Sequence, residues 1–272
     1  MATQKSFSLL LVTFTTLHLL LARNVNSAKV LSFNFTKFTT GSSSITLQGN
    51  AEILANGVLA LTSHTNSATN VGCALYTTPV TIWDETTGNV ASCVSSISLV
   101  LRDIQGFMEA DGVVFFLAPS DTVIPNNSSG GKLGIVDHGY AFNNFVGVEL
   151  DNCVNDWDPN YPHIGIDVNS LISLKTVKFN RVSGSLVKVS IIYDSLSKTL
   201  SVSVTYENNR IATVSQVVDL KAVLPSRVRV GLSASTSSGG AQLHDIHSWS
   251  FTSNLETTVS SVMENVNIAS YA

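Results

Sequence analysis

Charged residues are scarce in this chain of 272 residues, in which 15 Lys and Arg and 19 Asp and Glu make up 12 % of the sequence. With 44 % apolar residues beside so few charges, the composition argues against a disordered or coiled-coil protein, since both classes are rich in charge. The formal net charge of −4 also lacks the basic excess that nucleic-acid binding requires. We therefore expect a folded protein with a sizeable core and no nucleic-acid partner.

Long apolar runs are absent except near the N-terminus. The run Leu9–Ala22 follows Lys5, contains no acidic residue and is shorter than a helix that crosses a bilayer usually is. It leads into small residues that end at Ala28. This pattern predicts a secretory signal peptide over residues 1–28, with a transmembrane anchor as the alternative. The rest of the chain, 29–272, is expected to be secreted and to contain no membrane span.

Cysteine is also rare, and the three residues form an odd set that leaves at least one thiol unpaired. Cys73 and Cys93 flank the turn-rich segment 84–89. A hairpin there could bring the two residues together across neighbouring strands, and we hypothesise that they form a disulfide. The alternative is a pair of buried free thiols.

No segment of helical length with a period of 3.6 residues follows residue 28. Instead, apolar and polar residues alternate over 96–101 and over 200–206, and Val113–Leu117 is a continuous apolar run. Alternation with a period of two is typical of a strand with one buried face, and a short apolar run is typical of a strand covered on both faces. With turn signals between such runs, the sequence predicts an all-β fold, an antiparallel β-sandwich of jelly-roll type in a single domain over 29–272.

Polar side chains concentrate between positions 149 and 163, where four carboxylates, two amides and one imidazole occur: Glu149, Asp151, Asn152, Asn155, Asp156, Asp158 and His163. So many polar groups cannot be buried without partners. Oxygen donors suit Ca²⁺, and carboxylates mixed with imidazole suit Mn²⁺ or another transition metal. An EF-hand beginning at Asp151 is excluded, because its sixth position is Asp156 and its twelfth is Pro162. The alternative to a metal site is a solvated acidic loop.

A series of short motifs resembles the legume lectins over nearly all of the chain after residue 28. In order, they are Phe33-Asn34-Phe35, Ala74-Leu75-Tyr76, Ile82-Trp83-Asp84, Ala110-Asp111-Gly112, Phe115-Phe116-Leu117-Ala118-Pro119, Val148-Glu149-Leu150-Asp151, Trp157-Asp158-Pro159, His163-Ile164-Gly165-Ile166-Asp167-Val168-Asn169-Ser170 and Ser248-Trp249-Ser250-Phe251. Each motif is weak alone, whereas the ordered set is specific. The resemblance implies the legume lectin fold and non-covalent carbohydrate binding.

The resemblance also implies two metal sites that order the sugar-binding loops without performing chemistry. A transition metal, usually Mn²⁺, would bind Glu149, Asp151, Asp158 and His163, with Ser173 reaching it through a water. Ca²⁺ would bind Asp151, Asn155, Asp158 and the backbone carbonyl of Cys153. Asp151 and Asp158 would bridge the two ions, which accounts for the density of carboxylates.

The sugar-binding residues implied by the resemblance come from separate parts of the chain. Asp111 matches the acceptor of two sugar hydroxyls, Asn155 the amide donor and Gly131 the glycine whose backbone N–H reaches the sugar. The Ala110–Asp111 peptide is expected to be cis. The segment 236–242, with Gly240 and Ala241, helps to choose between the mannose/glucose and galactose types.

Position 153 departs from the family pattern, because Cys153 stands where an aromatic residue usually stacks on the sugar. The loss of this ring is expected to weaken sugar binding, to remove it, or to leave room for a ligand of a different shape. The alternative function is therefore a lectin-like defence or storage protein that acts through protein partners. Related jelly-roll glycoside hydrolases use a Glu-x-Asp-x-Glu strand for catalysis. Cys153 takes the place of the third carboxylate of that motif, so we expect no enzymatic activity.

The remaining expectations concern modification, assembly and location. Sequons at Asn34, Asn126 and Asn127 are candidate glycosylation sites in a secreted chain. The resemblance implies glycans or glycoproteins as partners and a homodimer formed through sheet edges, which a glycan on Asn34 could block. The expected destination is the apoplast or the vacuole, and the tail 256–272 is a candidate for trimming.

Overall fold

The computed structural model describes residues 28–65, 69–137 and 144–257. The predicted signal peptide, apart from Ala28, and the end of the chain from residue 258 lie outside the described residues. Within them, no helix is long and apolar enough to cross a membrane. The strands are β1 Ala28–Phe35, β2 Ile45–Gly49, β3 Glu52–Ile53, β4 Leu59–Ala60, β5 Val71–Tyr76, β6 Val80–Thr81, β7 Ser92–Asp103, β8 Gly112–Pro119, β9 Val146–Asp151, β10 His163–Val168, β11 Lys175–Lys178, β12 Leu186–Asp194, β13 Thr199–Tyr206, β14 Ile211–Val217, β15 Arg227–Ser235 and β16 Gln242–Glu256. A 3₁₀ turn, Gly130–Lys132, and a one-turn helix, Leu220–Val223, complete the described elements.

The strands form two antiparallel sheets of eight strands each. In the front sheet the order is β11-β10-β9-β8-β15-β5-β2, with β6 also paired to β15. In the back sheet the order is β14-β13-β12-β7-β16-β4-β3, with β1 also paired to β16. The predicted all-β antiparallel sandwich is confirmed.

The alternating segments of the sequence supply the inner face of the back sheet. In β13, Leu200, Val202, Val204 and Tyr206 are buried, while the residues between them are partly exposed. In β7, Ile97, Leu99 and Leu101 point into the same core. Because side chains alternate along a strand, one register places each apolar set between the sheets.

The continuous apolar run in β8 reflects burial on both faces of the front sheet. Phe115 and its inward neighbours belong to the core between the sheets. Phe116 and its outward neighbours pack into a second cluster with Leu133, Ile135 and Phe145. The described part of the connection after β8 therefore covers the outer face of the sheet, and Leu133 lies beside Gly112 at the start of β8.

The hypothesised disulfide is wrong, since both of its cysteines are free thiols. The turn at 84–89 does reverse the chain, with Trp83 bridged to Val90. However, Cys73 lies in β5 of the front sheet and packs in its outer cluster, whereas Cys93 lies in β7 of the back sheet and faces the core between the sheets. Burial raises the pKa of both thiols to about 12.

Strand register gathers one end of the front sheet into a site. Gly112, which begins β8, pairs with Asp151 at the end of β9 and with Ser235 at the end of β15. Asp151 also pairs with His163 at the start of β10. The loops that follow or precede these four strands must therefore meet at the same end of the sandwich.

Candidate functional site

A buried acidic cluster lies where β9 and β10 meet. Potential ligand atoms of Glu149, Asp151 and His163 all lie within 4.8 Å of one another. The imidazole Nε2 is 2.8 Å from Oε1 of Glu149, and both side chains are 1 % exposed. Glu149 and Asp151 lie two positions apart on β9, so their side chains point from the same face of the strand.

Asp158 and Ser173 extend the cluster from the loops on either side of β10. Oδ1 of Asp158 is 4.0 Å from Nε2 of His163. The hydroxyl of Ser173 is 2.7 Å from Oε1 of Glu149 and 2.7 Å from Oδ1 of Asp167. The predicted ligands Glu149, Asp151, Asp158, His163 and Ser173 thus come together, along with Asp167, which the sequence patterns did not select.

Three carboxylates of this cluster, those of Asp151, Asp158 and Asp167, resist ionisation because they are buried next to other acidic groups. Burial, followed by the charges of Glu149 and Asp158, raises the pKa of Asp151 well above its usual value. Burial raises the pKa of Asp158 to about 6, although the backbone N–H of Asn155 opposes the shift. Burial and the charge of Glu149 also raise the pKa of Asp167. A bound cation would relieve this repulsion.

The loop after β9 presents further oxygen atoms to the same region. The backbone N–H of Cys153 donates to Oδ1 of Asp151 at 2.7 Å, and that of Asn155 donates to Oδ2 of Asp158 at 2.7 Å. Oδ1 of Asn155 is buried without a hydrogen-bond partner. The residues therefore fit the implied ions, because carboxylate and imidazole suit a transition metal and the unpartnered amide oxygen suits Ca²⁺.

Asp111 lies beside this loop, directly before β8. Its peptide bond with Ala110 is cis, which confirms the expectation. Its backbone N–H donates to the carbonyl of Ser235, and its carbonyl accepts the N–H of Asn152. The side chain is buried, and its Oδ2 has no hydrogen-bond partner. Burial raises the pKa of Asp111 to about 6, against hydrogen bonds from Ser237 and Cys153 that lower it.

Two consecutive glycines face these polar groups. A Cβ on Gly131 would lie only 2.0 Å from Oδ1 of Asn155, so that any side chain there would collide with the amide. A Cβ on Gly130 would lie 4.0 Å from both carboxylate oxygens of Asp111, and its φ of +71° favours glycine. The prediction named only Gly131, whereas the structure brings both glycines to the site.

The segment 236–242 closes the site from the side of β16. The N–H of Gly240 donates to the carbonyl of Ser237 at 3.1 Å, and the N–H of Ala241 donates to the carbonyl of Met108 at 3.0 Å. A Cβ on Gly240 would lie 2.4 Å from that of Ala110, so this glycine allows the loop to approach the cis peptide. Ser237, which the sequence patterns did not single out, donates a side-chain hydrogen bond to Asp111.

Cys153 occupies the position expected to carry a stacking ring. It is partly exposed, and its thiol forms a side-chain hydrogen bond with Asp111. Burial, followed by the charges of Asp111 and Asp151, raises its pKa to about 11. The thiol is therefore neutral at pH 7 and provides a small polarisable surface in place of a ring.

The predicted glycosylation sites are all exposed. Asn34 lies on β1, opposite Ser250 of β16. Asn126 and Asn127 lie in the turn that precedes the two glycines, and Asn127 has a φ of +57°. The structure thus leaves each acceptor accessible.

Comparisons with known proteins identify the same family over most of the chain. The legume lectin domain matches residues 30–266. A bark protein of Robinia pseudoacacia named as an agglutinin is 62 % identical over 251 residues, which cover 92 % of each chain. The galactose-binding lectin of Arachis hypogaea is 51 % identical over 258 residues, covering 93 % of this chain and 94 % of that protein. The structure of peanut lectin with a nine-residue peptide aligns with a TM-score of 0.82 at 52 % identity, covering 85 % of this chain and all (100 %) of that chain.

Proposed function

The chain belongs to the legume lectin family, and on this basis we propose that it is a secreted lectin that binds carbohydrate without chemical conversion. The sugar would lie between Asp111, Gly131 and Asn155, bordered by Gly240 and Ala241. Its partners would be glycans or glycoproteins outside the cytosol.

The observation that carries this proposal is the unpartnered oxygen of Asp111. Oδ2 is buried without a hydrogen-bond partner, which is costly unless a ligand supplies a donor. A sugar presents pairs of hydroxyl groups, and an ionised carboxylate can accept from two of them. Because Gly131 has no side chain, the amide of Asn155 lies against its backbone, so that the two residues would contact the same sugar.

Two ions, Ca²⁺ and Mn²⁺ or another transition metal, would hold the loops of this site. Glu149, Asp151, Asp158 and His163 would bind the transition metal, and Ser173 would reach it through a water. Asp151, Asn155, Asp158 and the carbonyl of Cys153 would bind Ca²⁺. When bound, the ions supply fixed positive charge that orders residues 151–158. Sugar binding then carries a smaller entropy cost, because the loop is already ordered.

The sugar type follows less directly from the residues, and we propose galactose as the first ligand to test. Support comes from the relative in Arachis hypogaea, which is named as galactose-binding, and from a lectin of 40 % identity solved in complex with galactose. Mannose and glucose glycans are the other type to include. Segment 236–242 borders the site and would select between them.

The direct test is glycan-array binding of the protein without its signal peptide, loaded with Ca²⁺ and Mn²⁺, beside Asp111→Asn. A hydrogen bond to a charged acceptor contributes about 1.5–3 kcal/mol, so Asp111→Asn should weaken binding roughly 10- to 100-fold. Asp121→Asn, an exposed position just beyond the opposite end of β8, is the matched control and should bind like the unmodified protein.

Binding that survives both chelation and Asp111→Asn would contradict the proposal. If the folded, metal-loaded protein binds no glycan on the array, the result would instead favour the alternative, a lectin-like protein that acts through protein partners. The partial exposure of Cys153 in place of a ring is the observation that keeps this alternative under test.

A further inference from the structure

Arg181 lies in the connection between β11 and β12, behind the loops of the sugar site. Its side chain is only 5 % exposed. The guanidinium makes a bidentate contact with Asp103, at 2.6 Å from Nη2 to Oδ1 and 3.1 Å from Nη1 to Oδ2. Nη2 also lies 2.9 Å from Oε2 of Glu109, and Nε lies 2.6 Å from Oδ1 of Asn152.

These partners are themselves joined to one another. The side-chain amide of Asn152 donates to Oε1 of Gln242 at 2.8 Å, and the amide of Gln242 donates to Oδ1 of Asp103 at 2.6 Å. Asn152 also donates its backbone N–H to the carbonyl of Asp111. Arg181, Asp103, Asn152 and Gln242 thus form a closed network of hydrogen bonds, which we call the arginine network.

The hydrogen-bond partners of Arg181, together with Gln242, belong to or adjoin three segments of the site. Glu109 lies two positions before Asp111, and Asp103 ends the strand that leads to this segment. Asn152 sits between Asp151 and Cys153, in the metal-binding loop. Gln242 directly follows Ala241. One guanidinium therefore contacts two of the three segments, 104–111 and 151–158, and reaches the third, 236–242, through Gln242.

We propose that Arg181 is a positioning residue that fixes these three segments relative to one another and so determines the geometry of the sugar site. This inference rests on the proposed carbohydrate function. Arg181 touches neither the sugar position nor an ion, and it acts only through its partners.

The chemistry of the guanidinium explains why another cation would not replace it. Arginine offers five donors in a rigid plane, which here serve two carboxylates and one amide at once. Lysine keeps the charge but cannot span three acceptors in different directions. Because Asn152 and Gln242 are buried beside Arg181, an acceptor that loses its donor there would find little water to replace it.

The test compares Arg181→Lys with Arg229→Lys in the full metal-loaded protein. Arg229 donates to the carbonyls of Tyr76, Thr77 and Ser120, at the opposite end of β8, so it is a control of the same residue type. Two quantities are measured well below the melting temperature: the Kd for the best glycan from the array, and hydrogen exchange of peptides covering 104–111 and 236–242.

Arg181→Lys is expected to raise the glycan Kd about tenfold and to speed exchange in both segments, while Arg229→Lys changes neither quantity. A lower melting temperature with unchanged Kd and unchanged exchange would overturn the proposal, because that is the pattern of a purely structural residue. If the unmodified protein binds no glycan, the proposed function fails, and exchange alone then decides the role of Arg181.

A milder variant covers the case in which Arg181→Lys does not fold. Asn152→Ser removes the hydrogen bonds from the side chain of residue 152 to Arg181 and Gln242. It leaves the ion pair between Arg181 and Asp103 in place. Faster exchange in 104–111 and 236–242, both remote in sequence from the substitution, supports the network. Unchanged exchange in both segments overturns it.

Discussion

A single side chain at position 153 sets the surface on which a sugar would lie. The thiol of Cys153 forms a hydrogen bond with Asp111 and stands at the position where the family pattern has an aromatic ring. Aromatic contacts contribute about 0.5–1.5 kcal/mol beyond the area that they bury. Cys153→Phe is therefore expected to tighten glycan binding roughly 2- to 10-fold, as measured by isothermal titration with the best glycan from the array.

Cys153→Ser is the matched control, because it keeps a small side chain that can donate a hydrogen bond to Asp111 without adding a ring. Its affinity should stay close to that of the unmodified protein. Equal affinity in the Phe and Ser variants would contradict the idea that a missing ring limits binding at this site.

At the level of elements, the acidic cluster and its loop are the part of the site that the sequence reveals best. All the metal-binding candidates lie between Glu149 and Ser173, so that two consecutive strands and the loops that follow them contain the whole set, and their spacing can be read locally. The sugar site is different, because Asp111, Gly131 and Gly240 meet only through strand register. Family motifs predicted those residues.

The arginine network could not be predicted in the same way. Asp103, Arg181 and Gln242 are separated by about sixty to eighty residues, and none carries a local pattern that suggests its partners. Ser237 and Gly130 were not predicted individually, but both lie in or beside segments that the sequence analysis had already selected. What the sequence hides is contact between side chains of distant loops.

The raised pKa values of the cluster predict how its ions depend on pH. Burial raises the pKa of Asp158 to about 6 and that of Asp151 well above its usual value. Ionising these groups in the metal-free protein disfavours folding, so its free energy of unfolding should fall as pH rises through about 6. Ca²⁺ and Mn²⁺ should restore stability above this pH, whereas protons displace them below it.

The measurement is the melting temperature with and without chelator between pH 4.5 and 8. One ion at a hundred times its Kd contributes about 2.7 kcal/mol, which for a chain of this size corresponds to roughly 5–10 °C. The difference between the metal-loaded and chelated forms should be greatest at pH 7–8 and disappear near pH 5. A difference that is the same at every pH would contradict the assigned ligands.

For the whole molecule, strand β1 is the feature that bears on assembly. It pairs with β16 on one side, and Asn34 is exposed on it. An edge strand can add a strand from a second copy, and a glycan at this position would stand in the way. We expect Asn34→Gln, or enzymatically deglycosylated protein, to sediment as a dimer and the Asn34-glycosylated form as a monomer.

Asn126→Gln provides the comparison, because that sequon lies in the turn before the two glycines and not on β1. It should leave the oligomeric state of the glycosylated protein unchanged. The same sedimentation coefficient for the Asn34-glycosylated and deglycosylated proteins would show that this edge does not control assembly.

The pairing of β1 with β16 also governs when the protein can fold during its synthesis. The first described strand, Ala28–Phe35, has its register partner in Trp249–Glu256, more than two hundred positions later. Ribosomes add about 5–20 residues per second, so β1 waits on the order of ten seconds or longer for its neighbour to be made. Until the final strand leaves the ribosome, the back sheet stays open along β7, and a nascent chain stopped before residue 242 could complete neither this sheet nor the arginine network that depends on Gln242.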